Sequence, residues 1–339
     1  MRYPYKSLPR LEFTERDVAS IVRELADDDT LIISDSYSYP LLPKHGRIMM
    51  IRNNNAEQVR KIREEYTYSR VIAVGGCTAL DIGRAVAAGS EVIALPTILS
   101  NSCISVDRSV LNYNGRNRGE KTTAPARTIV SITSLLETSP KELKRWSSSG
   151  FGDVLSRISA STDFHYREGD LSLETVMGSA PRAFEAMEWV IDSFRGYDRD
   201  CLVRLATYSH EASLDVIRRG DATLSAAGEH KLDYKMREQQ NRYTEKRPTH
   251  GQAVSVGTLL SAAILGERTA DHSLYRKLRA AYQKLGLPTD YRGLRCIGIE
   301  RQHLVEGLNG IGEEGTYLGD YFRQGNHSII DRTFGGDVY

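Results

Sequence analysis

One carboxylate and two imidazoles in the second half of the chain could together hold a metal ion. Asp153 follows two closely spaced glycines, His230 follows Gly228-Glu229, and His250 follows a threonine placed as a helix cap. The pattern predicts that each of the three lies at the beginning of a helix. Three protein ligands with one open position form a catalytic rather than a structural zinc site. The spacing of the three residues along the sequence does not show that their side chains meet at one point. A single histidine on a helix is more often a core residue than a metal ligand.

A glycine pair in the first half is typical of a nucleotide-binding turn. Gly75 and Gly76 end an apolar run and precede a helical pattern. Glycines let the backbone approach a pyrophosphate, and a helix N-terminus offers free N–H groups. The full G-x-G-x-x-G spacing is absent, so a tight turn that binds nothing is an equal alternative. Asp35, just past an earlier strand, could accept ribose hydroxyls or could be a turn residue.

Short apolar runs alternate with helical patterns over the first part of the chain. The predicted strands cover 30–34, 47–51, 70–74, 91–95 and 128–131. This alternation predicts parallel strands joined by crossover helices. Residues 106–127, which are rich in Asn and Gly, are predicted to form a hairpin or a long loop.

A different pattern begins at Ser139, which is followed by Pro140, Lys141 and Glu142 in the order of a helix start. Beyond it, apolar residues recur at helical spacing. We therefore predict an α/β domain over residues 1–137 and an all-helical domain over residues 138–339.

The composition excludes several classes of protein. The chain has 339 residues with 45 Lys+Arg and 44 Asp+Glu, and this balance argues against a nucleic-acid binder. It has no apolar run long enough to span a membrane and no apolar signal segment. Its four cysteines form no C-x-x-C pair, so neither a zinc knuckle nor a disulfide framework is predicted. A cytoplasmic protein is expected.

Five sequence pieces in consistent order resemble the superfamily of 3-dehydroquinate synthase, glycerol dehydrogenase and iron-containing alcohol dehydrogenases. Within it, the chain most resembles the sn-glycerol-1-phosphate dehydrogenase branch. The pieces are Val74-Gly75-Gly76 with Asp81, Pro96-Thr97-Ile98-Leu99-Ser100-Asn101, the run from Ser149 to Ser156, Gly228-Glu229-His230, and His250-Gly251-Gln252-Ala253-Val254.

The resemblance implies a Rossmann-like N-terminal domain and a helical C-terminal domain, with the active site in the cleft between them. It implies that NAD or NADP binds the first domain, with Asp35 near the ribose and Asp81 helping to fix the loop. The other implied cofactor-binding residues are Gly75, Gly76, Thr97 and Ser100.

The resemblance also implies one divalent metal on Asp153, His230 and His250, with zinc expected first and iron or nickel as alternatives. The function it implies is a metal-dependent, NAD(P)-linked oxidoreductase acting on a small polyol or polyol phosphate. The metal would polarise the substrate oxygen, and a hydride would pass between the carbinol carbon and the nicotinamide. Members of the superfamily are often homo-oligomers.

The chain departs from the family pattern in three places. Cys77 replaces the third glycine of the cofactor loop, and Ser102 replaces an aspartate near the substrate. Asp233 and Tyr234 occupy the helical turn where the family has a second, proton-relaying histidine, and neither is a like-for-like replacement near pH 7; Tyr234 is the candidate catalytic residue of this turn. These changes favour an altered substrate or reaction, and a non-catalytic homologue remains an alternative.

A second enzymatic hypothesis uses the same scaffold. Residues 106–110 resemble the V-D-S-S-V segment of sugar-phosphate cyclases such as 3-dehydroquinate synthase, and residues 119–122 resemble their G-G-K-T. In that case Asp107 and Lys121 act on a phosphorylated substrate, with transient oxidation by NAD and elimination of phosphate. The alternative is that both residues lie on a solvated hairpin.

Basic residues could hold a substrate phosphate under either hypothesis. Lys246 and Arg247 precede His250, and a Lys/Arg pair there could clamp a phosphate near the metal. Arg116, Arg118 and Lys121 lie in the hairpin region of the first domain. The alternative for Lys246 and Arg247 is that they are a solvated pair of charges in a loop.

Overall fold

The computed structural model describes residues 8–44, 46–243, 247–312 and 315–335, with the backbone alone for 238–243. The chain divides into two compact units, which we treat separately. Unit 1 contains residues 1–147 and 197–220, and unit 2 contains residues 148–196 and 221–339. The sequence analysis predicted a single boundary after residue 137. It did not predict that residues 197–220 group with unit 1.

Unit 1 contains a six-stranded sheet and a separate two-stranded hairpin. The strands are β1 (Arg10–Thr14), β2 (Thr30–Asp35), β3 (Arg47–Ile51), β4 (Arg70–Gly75), β5 (Glu91–Pro96), β6 (Arg108–Tyr113), β7 (Arg116–Lys121) and β8 (Arg127–Ser131). The sheet order is β1-β8-β5-β4-β2-β3, and each pairing is parallel. Strands β6 and β7 form the antiparallel hairpin. The predicted Rossmann-like sheet is therefore confirmed.

Helices cover both faces of this sheet because its strands are apolar on both faces. In β2, Leu31 and Ile33 belong to one hydrophobic cluster and Ile32 belongs to another. The helices of unit 1 are α1 (Val18–Leu25), α2 (Ala56–Glu65), α3 (Cys77–Ala87), α4 (Ile132–Leu136), the start of α5 (Pro140–Glu168) and α8 (Arg199–Arg219).

The described part of unit 2 is helical. Besides the rest of α5, its helices are α6 (Leu173–Ser179), α7 (Pro181–Asp192), α9 (Gly228–Tyr243), α10 (His250–Thr269), α11 (Ser273–Leu285), α12 (Tyr291–Cys296), α13 (Arg301–Ile311), α14 (Tyr317–Arg323) and α15 (Ser328–Phe334). Helix α10 is central, because 15 of its 20 residues are buried. Among the described residues, no helix combines the length and hydropathy needed to cross a membrane.

The structure corrects the predicted position of Asp153. The run Gly150-Phe151-Gly152-Asp153 lies inside α5, a helix of 29 residues, and does not begin a helix. Glycines near a helical pattern can mark a helix end or a close helix contact, and the contacts of Gly152 show that the second explanation holds here. The two histidines lie where predicted: His230 in the first turn of α9 and His250 as the first residue of α10.

Candidate metal centre

The three predicted metal ligands meet within unit 2. Oδ1 of Asp153 lies 3.4 Å from Nε2 of His230 and 3.3 Å from Nε2 of His250. One donor atom from each side chain lies within 4.8 Å of the other two. Helices α5, α9 and α10 each contribute one of the three residues, so the arrangement depends on how these helices pack.

The donor set fits a divalent ion. Zinc binds carboxylate oxygen and imidazole nitrogen at about 2.1 Å, and two donors at the tetrahedral angle are then about 3.4 Å apart. The two measured separations, 3.4 Å and 3.3 Å, agree with this spacing. One carboxylate and two imidazoles suit zinc, iron or nickel, and they leave a coordination position for a substrate oxygen.

Two glycines bring α5 and α10 close enough for Asp153 and His250 to meet. A Cβ built on Gly152 would lie 2.9 Å from the carbonyl carbon of Gly251. A Cβ on Gly251 would lie 2.7 Å from Cα of Ser149. The Gly251 N–H also donates to Oγ of Ser149 at 3.0 Å. The glycines that flank the ligands therefore serve helix packing, rather than the approach of a ligand to the backbone.

Nδ1 of each imidazole, the ring nitrogen that does not face Asp153, contacts a carboxylate that the sequence analysis did not assign. Nδ1 of His230 lies 2.7 Å from Oε1 of Glu229, whose side chain is fully buried. Nδ1 of His250 lies 2.9 Å from Oδ2 of Asp233. Such carboxylates fix the tautomer and ring orientation of metal-bound histidines. The sequence offered a signal only for Glu229, which is adjacent to His230, because Asp233 lies 17 residues from His250 and only the fold pairs them.

The electrostatics of the site favour positive charge. Burial would raise the pKa of Asp153, but hydrogen bonds from His230 and His250 hold it well below its usual range. Burial would lower the pKa of His230, but its bonds to Asp153 and Glu229 raise it to about 10. The pKa of His250 is likewise raised, against burial, by Asp153 and Asp233. A cation can replace these protons, because metal binding requires deprotonated ligands.

In unit 1, the predicted cofactor-binding residues Asp35, Gly75, Gly76 and Thr97 gather at the carboxyl ends of β2, β4 and β5. Oδ2 of Asp35 accepts the N–H of Gly76 at 2.8 Å, and Oδ1 accepts the N–H of Ser38 at 2.8 Å. Thr97 is buried, with its Oγ1 2.7 Å from Oγ of Ser38 and its N–H donating to Gly75. In parallel sheets this edge is where ligands bind.

At Gly75 the backbone admits no side chain, whereas at Gly76 an added Cβ would meet chiefly the flexible side chain of Ile98. Gly75 has φ +146°, and a Cβ on Gly76 would lie 2.8 Å from Cδ1 of Ile98. Cys77, the first residue of α3, follows them; its Sγ accepts from Nδ2 of Asn101 at 2.7 Å and lies 3.6 Å from Oγ of Ser100. The thiol therefore lies beside the predicted pyrophosphate turn.

The comparisons with known proteins agree with the resemblance seen in the motifs. No protein-family model matches the chain. It is 22% identical over 302 residues to glycerol-1-phosphate dehydrogenase (NAD(P)+) of Pyrococcus furiosus, covering 88% of this chain and 78% of the relative. It is 25% identical over 265 residues to the enzyme of the same name from Sulfolobus acidocaldarius, covering 75% and 69%.

Solved structures show the same architecture. Glycerol dehydrogenase from Schizosaccharomyces pombe has a TM-score of 0.68 at 15% identity, covering 98% of this chain and 92% of that one. An iron-containing alcohol dehydrogenase from Thermococcus thioreducens has a TM-score of 0.64 at 13% identity, covering 97% and 99%. The chain has the fold of glycerol dehydrogenase and the iron-containing alcohol dehydrogenases. The resemblance predicted from its motifs is thereby confirmed.

Within this dehydrogenase fold, Asp81 serves an evident structural purpose. Its carboxylate accepts from the buried guanidinium of Arg84 and from the N–H of Val110, and burial raises its pKa in spite of Arg84. Oγ of Ser109 donates to the backbone oxygen of Asp81. These bonds attach α3 to β6, and a role of Asp81 at the cofactor loop stays a prediction.

The residues of the cyclase hypothesis lie at the base of the hairpin. Asp107 is buried just before β6, and its Oδ2 is 4.0 Å from Nζ of Lys121, whose side chain is 53% exposed. Arg116 and Arg118 are exposed on β7, and Arg118 lies over the ring of Tyr113. The fold therefore brings Asp107 and Lys121 together, and their catalytic roles stay predictions.

The remaining candidates of unit 2 are exposed. Tyr234 lies one turn beyond His230 on α9 and is 41% exposed. Arg247 is exposed shortly before α10, whereas Lys246 lies outside the described residues. Both residues are close in sequence to a metal ligand. Their catalytic roles stay predictions.

Proposed function

We propose that this chain is a metal-dependent, NAD(P)-linked oxidoreductase that acts on a small polyol or polyol phosphate, in the manner of glycerol-1-phosphate dehydrogenase. The convergence of Asp153, His230 and His250 carries the proposal, because this set can hold a divalent ion with a position left for substrate. The named relatives in Pyrococcus furiosus and Sulfolobus acidocaldarius use NAD(P)+, which supports the cofactor assignment.

We assign separate residues of the chain to metal binding, to dinucleotide binding and to proton exchange. Asp153, His230 and His250 hold the ion, while Gly75, Gly76, Thr97 and Ser100 bind the dinucleotide beside Asp35. When bound, the ion supplies Lewis-acid polarisation of the substrate oxygen, and the nicotinamide accepts or donates the hydride. Tyr234 lies in the helical turn where the family has its relay histidine and is 41% exposed, so we assign the exchange of the substrate proton to it.

A phosphate on the substrate gives Arg247 a role. Arg247 is exposed three residues before His250, and a guanidinium can pair with phosphate in a bidentate manner. Lys246, the neighbouring residue, would add a second charge. We therefore propose that the preferred substrate is phosphorylated, as in the branch that the named relatives represent.

The test compares glycerol-1-phosphate with glycerol as substrates, using NAD+ and NADP+, on zinc-loaded and chelator-stripped protein. We expect NAD(P)H to accumulate with the phosphorylated substrate and to stop when the metal is removed. Arg247→Ala should raise the KM for glycerol-1-phosphate much more than the KM for glycerol. Arg292→Ala, at another exposed arginine on α12, is the control and should change neither.

The same assay separates the alternatives. Equal KM changes for both substrates in Arg247→Ala would remove the phosphate proposal and leave the dehydrogenase. With a sugar phosphate long enough to close a carbocycle added as a third substrate, release of inorganic phosphate without net NAD(P)H would favour a cyclase that uses the Asp107–Lys121 pair. Neither reaction with any polyol phosphate, in protein that binds metal, would indicate a non-catalytic homologue.

A further inference from the structure

The carboxylate at position 233 has both oxygens engaged. Its side chain is 1% exposed on α9. Oδ2 lies 2.9 Å from Nδ1 of His250, and Oδ1 accepts from Nε of Arg237 at 2.7 Å. Asp233 therefore connects a metal-ligand imidazole on one helix to a guanidinium one turn along its own helix.

We propose that Asp233, held in place by Arg237, is a positioning residue that keeps Nε2 of His250 directed at the ion. The inference rests on the metal site of the proposed function. An imidazole can present either ring nitrogen, and the group that accepts its other N–H decides which one faces the metal. With Nδ1–H donated to Asp233, the lone pair of Nε2 faces Asp153, 3.3 Å away.

His250 needs such support more than His230 does. It is the first residue of α10, and its side chain is 30% exposed, against 12% for His230. An imidazole at a helix end with free space beside it can rotate about its side-chain torsions. The bond to a buried carboxylate restricts that rotation, because Asp233 is itself fixed by Arg237.

The charges of the surrounding groups also support a role for Asp233 in metal binding. Asp153, Glu229 and Asp233 carry three negative charges, and Arg237 carries one positive charge. With both imidazoles neutral, these four groups sum to −2, which one divalent cation balances. Removal of the charge of Asp233 therefore weakens the attraction for the ion as well as the orientation of the ligand.

This explains the departure at the turn after His230. The family pattern has a proton-relaying histidine in that turn, and this chain has Asp233 and Tyr234. Asp233 is buried and bonded to His250, so it cannot pass protons to solvent as a relay histidine does. In this turn Asp233 orients a metal ligand, and the proton exchange proposed above is assigned to its neighbour Tyr234.

The experiment measures the zinc Kd of the full chain by competition with a chromophoric chelator. Asp233→Asn keeps the shape and loses the charge, and it should raise the zinc Kd about ten- to a hundredfold. Arg237→Gln frees the carboxylate to move but also removes a positive charge near the ion, so these two effects on the zinc Kd oppose each other and the Kd should change less than in Asp233→Asn. Glu185→Gln breaks an exposed carboxylate–arginine pair on α7 and should leave the Kd within about twofold.

A second readout is specific to the proposed bond. In zinc-loaded protein labelled with 15N-histidine, the Nδ1–H of His250 should be protected from exchange with water. Asp233→Asn should lose this protection, whereas the Nδ1–H of His230, bonded to Glu229, should keep it. A residue that merely stabilised α9 would not change one imidazole proton and spare the other.

The outcomes are distinct. Wild-type zinc affinity and unchanged His250 exchange in both Asp233→Asn and Arg237→Gln would overturn the inference while leaving the metal site intact. If Asp233→Asn fails to fold, the exchange of the His250 Nδ1–H in Arg237→Gln decides: the partly exposed side chain of Arg237 tolerates replacement, and wild-type protection there would overturn the inference. A wild-type chain that binds no divalent metal would remove the proposed function itself, and this inference with it.

Discussion

Gly152→Ala tests whether the close approach of two helices creates the metal site. In the structure, a Cβ at Gly152 would lie 2.9 Å from the carbonyl carbon of Gly251. The carbonyl oxygen of Gly251 would lie closer still, and carbon atoms in ordinary contact are about 3.5 Å apart, so α5 and α10 must separate by at least about 0.6 Å at this point. The neighbouring residues, Asp153 and His250, are the ligands that must move with them.

The expected effect on metal binding is larger than the effect on folding. Metal–ligand distances vary by only about 0.2 Å in well-formed sites, so a displacement of about 0.6 Å is too large to share between two bonds. We expect zinc affinity to fall more than tenfold. Overpacking costs about 1–3 kcal/mol, and alanine regains about 1 kcal/mol over glycine in a helix, so the free energy of unfolding should fall by up to about 2 kcal/mol.

Gly178→Ala provides the matched control for this substitution. Gly178 lies in α6, where an added Cβ meets no atom within 4 Å. It should leave zinc affinity unchanged and leave stability unchanged or higher by up to about 1 kcal/mol. Zinc competition titrations and chemical denaturation of the metal-free proteins give the two quantities. Wild-type zinc affinity in a folded Gly152→Ala protein would refute the argument from helix spacing.

Two further predictions concern the titration of His230 and the position of Cys77. The pKa of His230 is raised from 6.5 to about 10, so its contribution to the stability of the metal-free fold is complete below about pH 6.5 and is lost as the pH rises towards 10. The melting temperature of metal-free protein should therefore fall between pH 7 and 10. His230→Gln should reduce this fall without abolishing it, because the pKa of His250 is raised as well; an equal fall in the variant would contradict the assignment. NAD+ should slow the alkylation of Cys77, measured by peptide mass spectrometry, and should spare the exposed Cys296. Equal rates at Cys77 with and without NAD+ or NADP+ would place the dinucleotide elsewhere.

The central strands were predictable because burial on both faces leaves a local signal. Strands β2, β4, β5 and β8 are buried apolar runs, and the edge strand β3 is also an apolar run although it is less buried. The observed bounds of these five strands differ from the predicted ones by at most one residue at an end. Strand β1, Arg10–Thr14, was not predicted. It is an edge strand with charged residues in half-exposed positions, and it lacks the continuous apolar run.

Helix bounds near the site were harder to predict, because a glycine can either mark the end of a helix or lie inside a helix where a second helix packs closely. Gly152 was interpreted as part of a helix start, but it packs against the backbone of Gly251 in the middle of α5. A local pattern cannot distinguish a glycine that ends a helix from one that admits a neighbouring helix. In contrast, Thr249 was correctly placed as the cap of α10, because capping depends on residues within one turn.

The residue types and their order determined the candidate ligands, the glycine turn and the alternation of strands and helices. Only the tertiary structure decided that Asp153, His230 and His250 lie within reach of one another, and that Asp233 faces His250 rather than solvent. It also decided that residues 197–220 group with unit 1. The physical reason is the range of the interactions: propensity and periodicity act over a few residues, whereas these pairings arise from packing between helices distant in the chain.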